Sequence, residues 1–292
     1  MNGKVMVITG ASDGIGAAAA RQLQSKGAAV VIVGRSPAKT KAVAAELNAP
    51  AYFADFAKLS DVRRLAGELR RDVPRIDVLA NNAGGIFGRR QLTVDGHEKT
   101  MQVNHLAPFL LTNLLIDVLV ASRATVINTS SAAHKLYSDF DIDDLEVANN
   151  YTQRIAYGNA KLENILFTRE LHKRYHADGI STAAFHPGSV ASNFASDTDS
   201  FIRYAYHTPL RRLLLISPAK GADTLIWLAT TAPDKDWQSG EYYVKRKVSR
   251  SVDDKVNDDD LARELWAQSV KLSRLKTPCH PPSAVPGRSH QA

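Results

Sequence analysis

The sequence predicts an α/β fold, one doubly wound parallel sheet with helices on both faces, and three observations carry that prediction. Short apolar, β-branched runs alternate with segments of helical spacing along most of the chain. A glycine-punctuated turn follows the first run and opens the first helical segment. The length of 292 residues suits one large domain, which would bury roughly 75 % of its unfolded surface.

The runs at 4–9, 29–34, 51–54, 76–80, 125–129, 181–185 and 242–244 read as strands. Between them, Ile15, Ala19 and Leu23, and later Leu162, Ile165, Leu166 and Arg169, keep helical spacing. Strand–helix–strand alternation of this kind implies right-handed crossovers and a sheet covered on both faces. Ser217-Pro218 supplies a cap and a first-turn proline for a helix running to Ala229. Asp258-Asp259-Asp260 opens the last helix and Lys271 lies near its end, matching the helix dipole. From about residue 276 the pattern stops. The sequence thus predicts a catalytic domain over 1–275 and a disordered tail over 276–292, where four of the twelve prolines lie.

Composition narrows the function classes. The lone cysteine, Cys279, cannot form an internal disulfide or a thiolate metal cluster, and no metal site is expected. A net charge of +7 without a basic face or a recognition motif argues against nucleic-acid binding. The longest apolar stretch, 109–121, is broken by Thr112, Asn113 and Asp117, too polar to span a bilayer. Met1-Asn2-Gly3-Lys4 leads straight into a short apolar run and shows no leader sequence. A soluble, cytoplasmic protein is the expectation.

The turn Thr9-Gly10-Ala11-Ser12-Asp13-Gly14-Ile15-Gly16 suits a pyrophosphate held at a helix N-terminus, because glycines let the backbone turn sharply and approach the phosphates. The same residues spell G-x-S-x-G, a nucleophile elbow with Ser12 as the nucleophile of a hydrolase. Position favours the first reading. Residue 12 has no upstream strand and loop to build an oxyanion hole, and Gly16 is unexplained in an elbow. The second strand ends Val33-Gly34-Arg35-Ser36, with no carboxylate to repel a ribose 2′-phosphate and with Arg35 to pair with one. NADP(H) is therefore expected over NAD(H).

Tyr157 and Lys161 are four apart at the head of a helical segment and share a face. A second such pair, Tyr243 and Lys247, lies in a strand-like segment, where four residues span roughly 13 Å and separate the two groups. A phenol with its ordinary pKa near 10 is a poor acid or base at neutral pH, and a cation one helical turn away favours the phenolate. In carbonyl reduction Tyr157 would protonate the developing alkoxide while Ser131 hydrogen-bonds the same oxygen.

With these residues in hand, the chain resembles a short-chain dehydrogenase/reductase of the classical type. The resemblance rests on Thr9 to Gly16, Asn81-Asn82-Ala83-Gly84, Asn104, Ser130-Ser131, Tyr157 with Lys161, and Pro187-Gly188, in family order. Val103-Asn104-His105-Leu106, Ser130-Ser131-Ala132-Ala133-His134 and 161–168 are similar to the retinol-dehydrogenase-like and WW-domain-oxidoreductase-like branch. The resemblance implies a Rossmann-type fold and a catalytic tetrad of Asn104, Ser131, Tyr157 and Lys161. It places Asp55 and Phe56 at the adenine, and Asn82, Ala83 and Gly84 along the adenosine. Pro187, Gly188, Val190 and Ser192, with Tyr157 and Lys161, fall at the nicotinamide. Ala160 departs from the serine that many members carry before the lysine, without removing a tetrad group.

Pro108 lacks an N–H, so a helix through Asn104 should kink and free the Asn104 carbonyl, where the resemblance implies a water that reloads the tyrosine proton. Phe194, Phe201 and Tyr204 lie in an aromatic and aliphatic stretch that resembles a substrate lid and suits a lipophilic ketone, aldehyde or alcohol. A dimer surface or a membrane-leaning patch is the alternative for that stretch. His172 and His176 read as a solvated basic face, with no carboxylate between them to suggest zinc. His134 and Asn128 mark no further cluster. The expected activity is an NADP(H)-dependent interconversion of a lipophilic carbonyl and its alcohol, in a chain that similar proteins suggest is a homodimer or homotetramer. The alternatives are a nucleotide-binding regulator on the same fold and, remotely, the Ser12 hydrolase.

Overall fold

Met6 and Ile8 face one layer of the core and Val7 the other, so the first strand is buried on both sides. That pattern belongs to a parallel sheet with two covered faces. The computed structural model describes residues 3–188 and 216–276. Its strands are β1 (Val5–Thr9), β2 (Ala29–Gly34), β3 (Ala51–Phe53), β4 (Val78–Asn81), β5 (Thr125–Thr129), β6 (Ser181–His186), β7 (Glu241–Val244) and β8 (Lys247–Val248). They form one sheet in the order β3-β2-β1-β4-β5-β6-β7-β8. Every pairing is parallel except β7 with β8. The chain runs outward from β1 to β3 and then returns to the other side of β1, which places a switch point between β1 and β4.

The helices are α1 (Gly14–Ser25), α2 (Pro37–Glu46), α3 (Leu59–Asp72), α4 (Lys99–Met101), α5 (Ala107–Leu114), α6 (Ile116–Ala121), α7 (Ala133–Leu136), α8 (Gln153–Tyr175), α9 (Pro218–Gly221), α10 (Asp223–Thr230) and α11 (Asp259–Leu272). One layer holds α1, α2 and α10, through Leu23, Val43 and Leu225. The other holds α3, α5, α8 and α11, through Leu65, Phe109, Leu166 and Trp266. Asp258 caps α11, its carboxylate accepting from the N–H groups of Asp260 and Leu261, as the acidic run predicts. No described helix is long and apolar enough to cross a membrane.

Four local readings need correction. The segment after Glu241 is a hairpin, because Lys245 and Arg246 both take positive φ (51° and 63°) and turn the chain between β7 and β8. No glycine or asparagine marks that turn in the sequence, so Tyr243 and Lys247 fall on different strands and the extended 13 Å separation does not apply. Tyr243 is a core residue whose hydroxyl donates to the Gln238 carbonyl at 2.9 Å. The helix after Pro218 breaks at Ala222 into α9 and α10, with Ser217 capping the first piece through the Lys220 N–H. His172 and His176 are half-buried rather than solvated. Their rings lie 4.4 Å apart, and the His172 Nδ1 meets the Ser239 Oγ at 2.8 Å, because the loop before β7 folds back over α8.

Candidate active site

The site begins with Thr9, at the end of β1. Its hydroxyl donates to the Ala80 carbonyl and accepts from the N–H groups of Asn82 and Ala83, which locks the end of β4 beside the glycine turn. The Asn82 side chain donates back to the Thr9 carbonyl at 3.0 Å. Gly10 has φ +66°, and a Cβ there would stand 2.8 Å from the Ala83 Cα. At Gly16 a Cβ would stand 2.7 Å from the Asn82 Nδ2. The two glycines are therefore required by close backbone approach, as the phosphate-cradle reading expects.

A cleft of about 410 Å³ opens at the switch point. Gly10, Ser12, Asp13, Gly14 and Ile15 form one wall, Arg35, Asp55 and Phe56 the far end, and Asn82, Ala83 and Gly84 the other wall. Among the described residues no histidine lines it, and Ser12 lies against Gly34, so those residues offer no partner for an elbow serine. Lys39, which the sequence reading passed over, lies at the same lip as Arg35 and Ser36. Its Nζ is 3.1 Å from the Asp13 carboxylate, so that acid is offset by a cation. Arg35 is exposed and has no ion-pair partner among the described residues. The signal for Lys39 was its place one helical turn beyond Arg35. An elongated cleft of this kind, with glycines against one wall and cations at one end, fits a phosphorylated dinucleotide.

Behind the Gly84 wall lie Asn104 and Lys161. A Cβ on Gly84 would stand 2.5 Å from the Asn104 Oδ1 and 3.4 Å from the Lys161 Nζ. Asn104 is fully buried and its side chain is committed on both sides. Its Nδ2 donates to the Gly85 and Thr100 carbonyls, and its Oδ1 accepts from the Gly85 N–H. Where a kink is expected, the helical run instead widens into a π-helical turn over Gln102–Leu106, and the Ala107 N–H reaches back to the Gln102 carbonyl. That wider turn precedes Pro108 and absorbs the misfit of a proline within a helical run.

Lys161 is buried, and its Nζ donates to the Thr129 carbonyl at 3.2 Å and stands 5.3 Å from the centre of the Tyr157 ring. Burial pulls its ammonium down from the usual lysine range to about 7, against an upward pull from Glu163. Ser130 Oγ donates to the Lys161 carbonyl at 2.7 Å, which ties the end of β5 to α8. A second tie comes from Gly158, where a Cβ would stand 2.7 Å from the Ser138 N. This glycine lets the backbone after Ser131 close against α8 next to Tyr157. Asn159 adds two hydrogen bonds with the Asp139 backbone. Ser131, Tyr157, Lys161 and Asn104 are thus drawn into one region, at the C-terminal edge of the sheet, by shared neighbours.

Pro187 and Gly188 follow β6 at that same edge, and Gly188 takes φ +88°. Val190, Ser192, Phe194, Phe201 and Tyr204 lie outside the described residues, as does the tail from 277. Asn128 and His134 carry more than the sequence reading gave them. Asn128 accepts from Asn81 and donates to Thr168 inside the sheet–helix interface. The His134 ring meets the backbone of Ser131.

Comparison with known proteins places these features in a family. The short chain dehydrogenase model matches residues 4–202. A candidate daunorubicin C-13 ketoreductase of Streptomyces sp. (strain C5) is 42 % identical over 275 residues, 92 % of this chain and 92 % of that protein. Retinol dehydrogenase 13 of Homo sapiens is 34 % identical over 288 residues, covering 94 % of this chain and 86 % of that one. The Pseudomonas aeruginosa RhlG/NADP active-site complex superposes with a TM-score of 0.66 at 28 % identity, over 83 % of this chain and 94 % of that chain.

Proposed function

The chain belongs to the short chain dehydrogenase family, oxidoreductases of alcohol and carbonyl groups, and from that premise we propose an NADP(H)-dependent enzyme that interconverts a lipophilic ketone or aldehyde and its alcohol. The observation that carries the reading is the buried Lys161 ammonium, held 5.3 Å from the Tyr157 ring centre behind the wall of the glycine-lined cleft. A pure nucleotide sensor has no use for that cation and phenol beside Ser131.

A bound nicotinamide cofactor supplies hydride to the carbonyl carbon, or accepts it from the carbinol carbon. The residues of the chain manage the proton. Tyr157 gives its phenolic proton to the carbonyl oxygen in reduction and takes the hydroxyl proton in oxidation. Ser131 donates a hydrogen bond to the same oxygen and stabilises the charge that develops there. Lys161 favours the phenolate after proton transfer. Asn104 braces the Gly84–Gly85 wall between cleft and lysine.

The glycine turn over Gly10–Gly16 would hold the pyrophosphate, Asp55 and Phe56 the adenine, and Pro187 and Gly188 the nicotinamide. Arg35, with Lys39 beside it, supports NADP(H), since a 2′-phosphate meets two cations there and no carboxylate follows Gly34. The lipophilic substrate is supported by the names of the relatives and by the aromatic stretch that includes Phe194, Phe201 and Tyr204.

A fluorescence titration with NADPH and, in parallel, NADH tests the cofactor. Tighter NADPH binding that Arg35→Ala or Lys39→Ala weakens is the expected outcome, and equal binding of the two cofactors would refute it. For turnover, Tyr157→Phe should keep NADPH binding and lower kcat by about 10²–10⁴. Retention of wild-type turnover in that variant would remove Tyr157 from the mechanism.

A further inference from the structure

Ser131 precedes a turn in which several polar groups have named partners. Its Oγ accepts from the Ala133 N–H at 3.2 Å, which leaves the hydroxyl hydrogen free to donate elsewhere. The Ala132 N–H points at the His186 Nδ1 at 3.4 Å. The Ser131 carbonyl accepts from the His134 N–H at 3.1 Å and lies 2.5 Å from the His134 Nδ1. A carbonyl oxygen can only accept, so Nδ1 carries the hydrogen. The neutral ring therefore has a bare Nε2.

That Nε2 is buried and has no hydrogen-bond partner among the described residues. The ring packs edge-on against Tyr242 with centroids 4.9 Å apart. A phenylalanine or leucine would fill the same space without burying an orphan acceptor, so packing alone does not explain an imidazole here. Burial holds His134 below the usual histidine range, with Lys135 acting in the same sense, and the Ser131 carbonyl and Asp253 acting against it. The neutral form matches the single bond the geometry requires.

We propose that His134 is a positioning residue for Ser131: its Nδ1–H fixes the Ser131 carbonyl, and with it the direction in which the Ser131 hydroxyl donates to a substrate oxygen. The proposal rests on the carbonyl–alcohol reading above and deepens it. His134 is not among the described residues that line the cleft, so its loss should act on the chemical step more than on cofactor binding.

Three substitutions test it, because asparagine places an N–H where the imidazole Nδ1 stands, whereas glutamine places one near Nε2 and leucine has none. His134→Asn should keep kcat within about threefold of wild type. His134→Gln and His134→Leu should each lower kcat at least tenfold, with the NADPH dissociation constant within twofold by fluorescence and similar melting temperatures. A uniform loss in all three, or wild-type kcat in His134→Leu, would overturn the proposal. Independently of turnover, long-range ¹H–¹⁵N spectra of the full chain should show His134 as the Nδ1–H tautomer at pH 7, its signals identified by their absence in His134→Asn. The Nε2–H tautomer or the imidazolium would overturn it as well. A wild-type protein that turns over no carbonyl with NADPH would count against the reductase reading instead, and the tautomer would still decide whether the Ser131 bond exists.

Discussion

Glu163 is fully buried two residues beyond Lys161, and neither of its carboxyl oxygens has a hydrogen-bond partner among the described residues. Burial, and then the neighbouring Glu98, push its pKa well above the usual carboxylate range, with Lys161 pulling the other way. The group is held protonated in the fold over pH values at which the unfolded chain has released its proton. The folded state then binds more protons than the unfolded one, so this residue makes stability fall as pH rises above the unfolded value of 4.5. Glu163→Gln, which is neutral at every pH, should melt above the wild type by a margin that widens from pH 5 to pH 8. Thermal melts at the two pH values check this, and a constant margin would mean that Glu163 is ionised in the fold. A second residue-scale prediction concerns Gly84. Gly84→Ala would put a Cβ 2.5 Å from the Asn104 Oδ1 and 3.4 Å from the Lys161 Nζ. Overpacking there should cost about 1–3 kcal/mol of stability and depress kcat more than the melting temperature suggests, because the displaced atoms belong to the site.

At the level of elements, the π-helical turn before Pro108 and the helix α11 show how local irregularity and distant packing serve the site. The π turn presents Asn104 with its side chain bonded to Gly85, on the loop that follows β4. Pro108 in the sequence announces a disturbance, but not whether the helix bends, breaks or widens, since that depends on the Gly85 backbone supplied by the loop after β4. Helix α11 lies against α8, and Trp266 stacks edge-on at 4.9 Å from Phe109 and within 5.8 Å of Phe167. Phe167 shares α8 with Tyr157 and Lys161. Trp266→Ala should therefore cost about 3–5 kcal/mol in denaturant unfolding. A cost under 1 kcal/mol would mean that α11 is not part of the cooperative core.

For the whole molecule, the alternation of runs and helical segments determined the sheet, because strands buried on both faces need continuous apolar stretches that are visible in one dimension. Seven of the eight strands were legible that way, and β8 was not, because its hairpin turn uses lysine and arginine in a conformation usually reserved for glycine or asparagine. The glycine turn, Asn82 to Gly84, and the Tyr157–Lys161 pair were legible for a similar reason: close backbone approach and one-turn helical spacing constrain residue type locally. Lys39, Glu163, His134 and the half-buried His172–His176 pair were not legible as what they are. A lysine five residues past a strand, or a histidine on a helix, has the same local signature whether it faces solvent, an ion-pair partner or a carbonyl. Which of these it meets is decided by packing, for Lys39 when β1 and β2 bring the glycine turn beside α2, and for the histidines when β5, β6 and β7 pack beside α7 and α8. The sequence by itself thus determined the fold class, the glycine positions of the turn and the one-turn spacing of Tyr157 and Lys161. Only the tertiary structure decided burial, and with it the protonation of Lys161 and the tautomer of His134, since desolvation and hydrogen-bond partners come from segments far away in the chain.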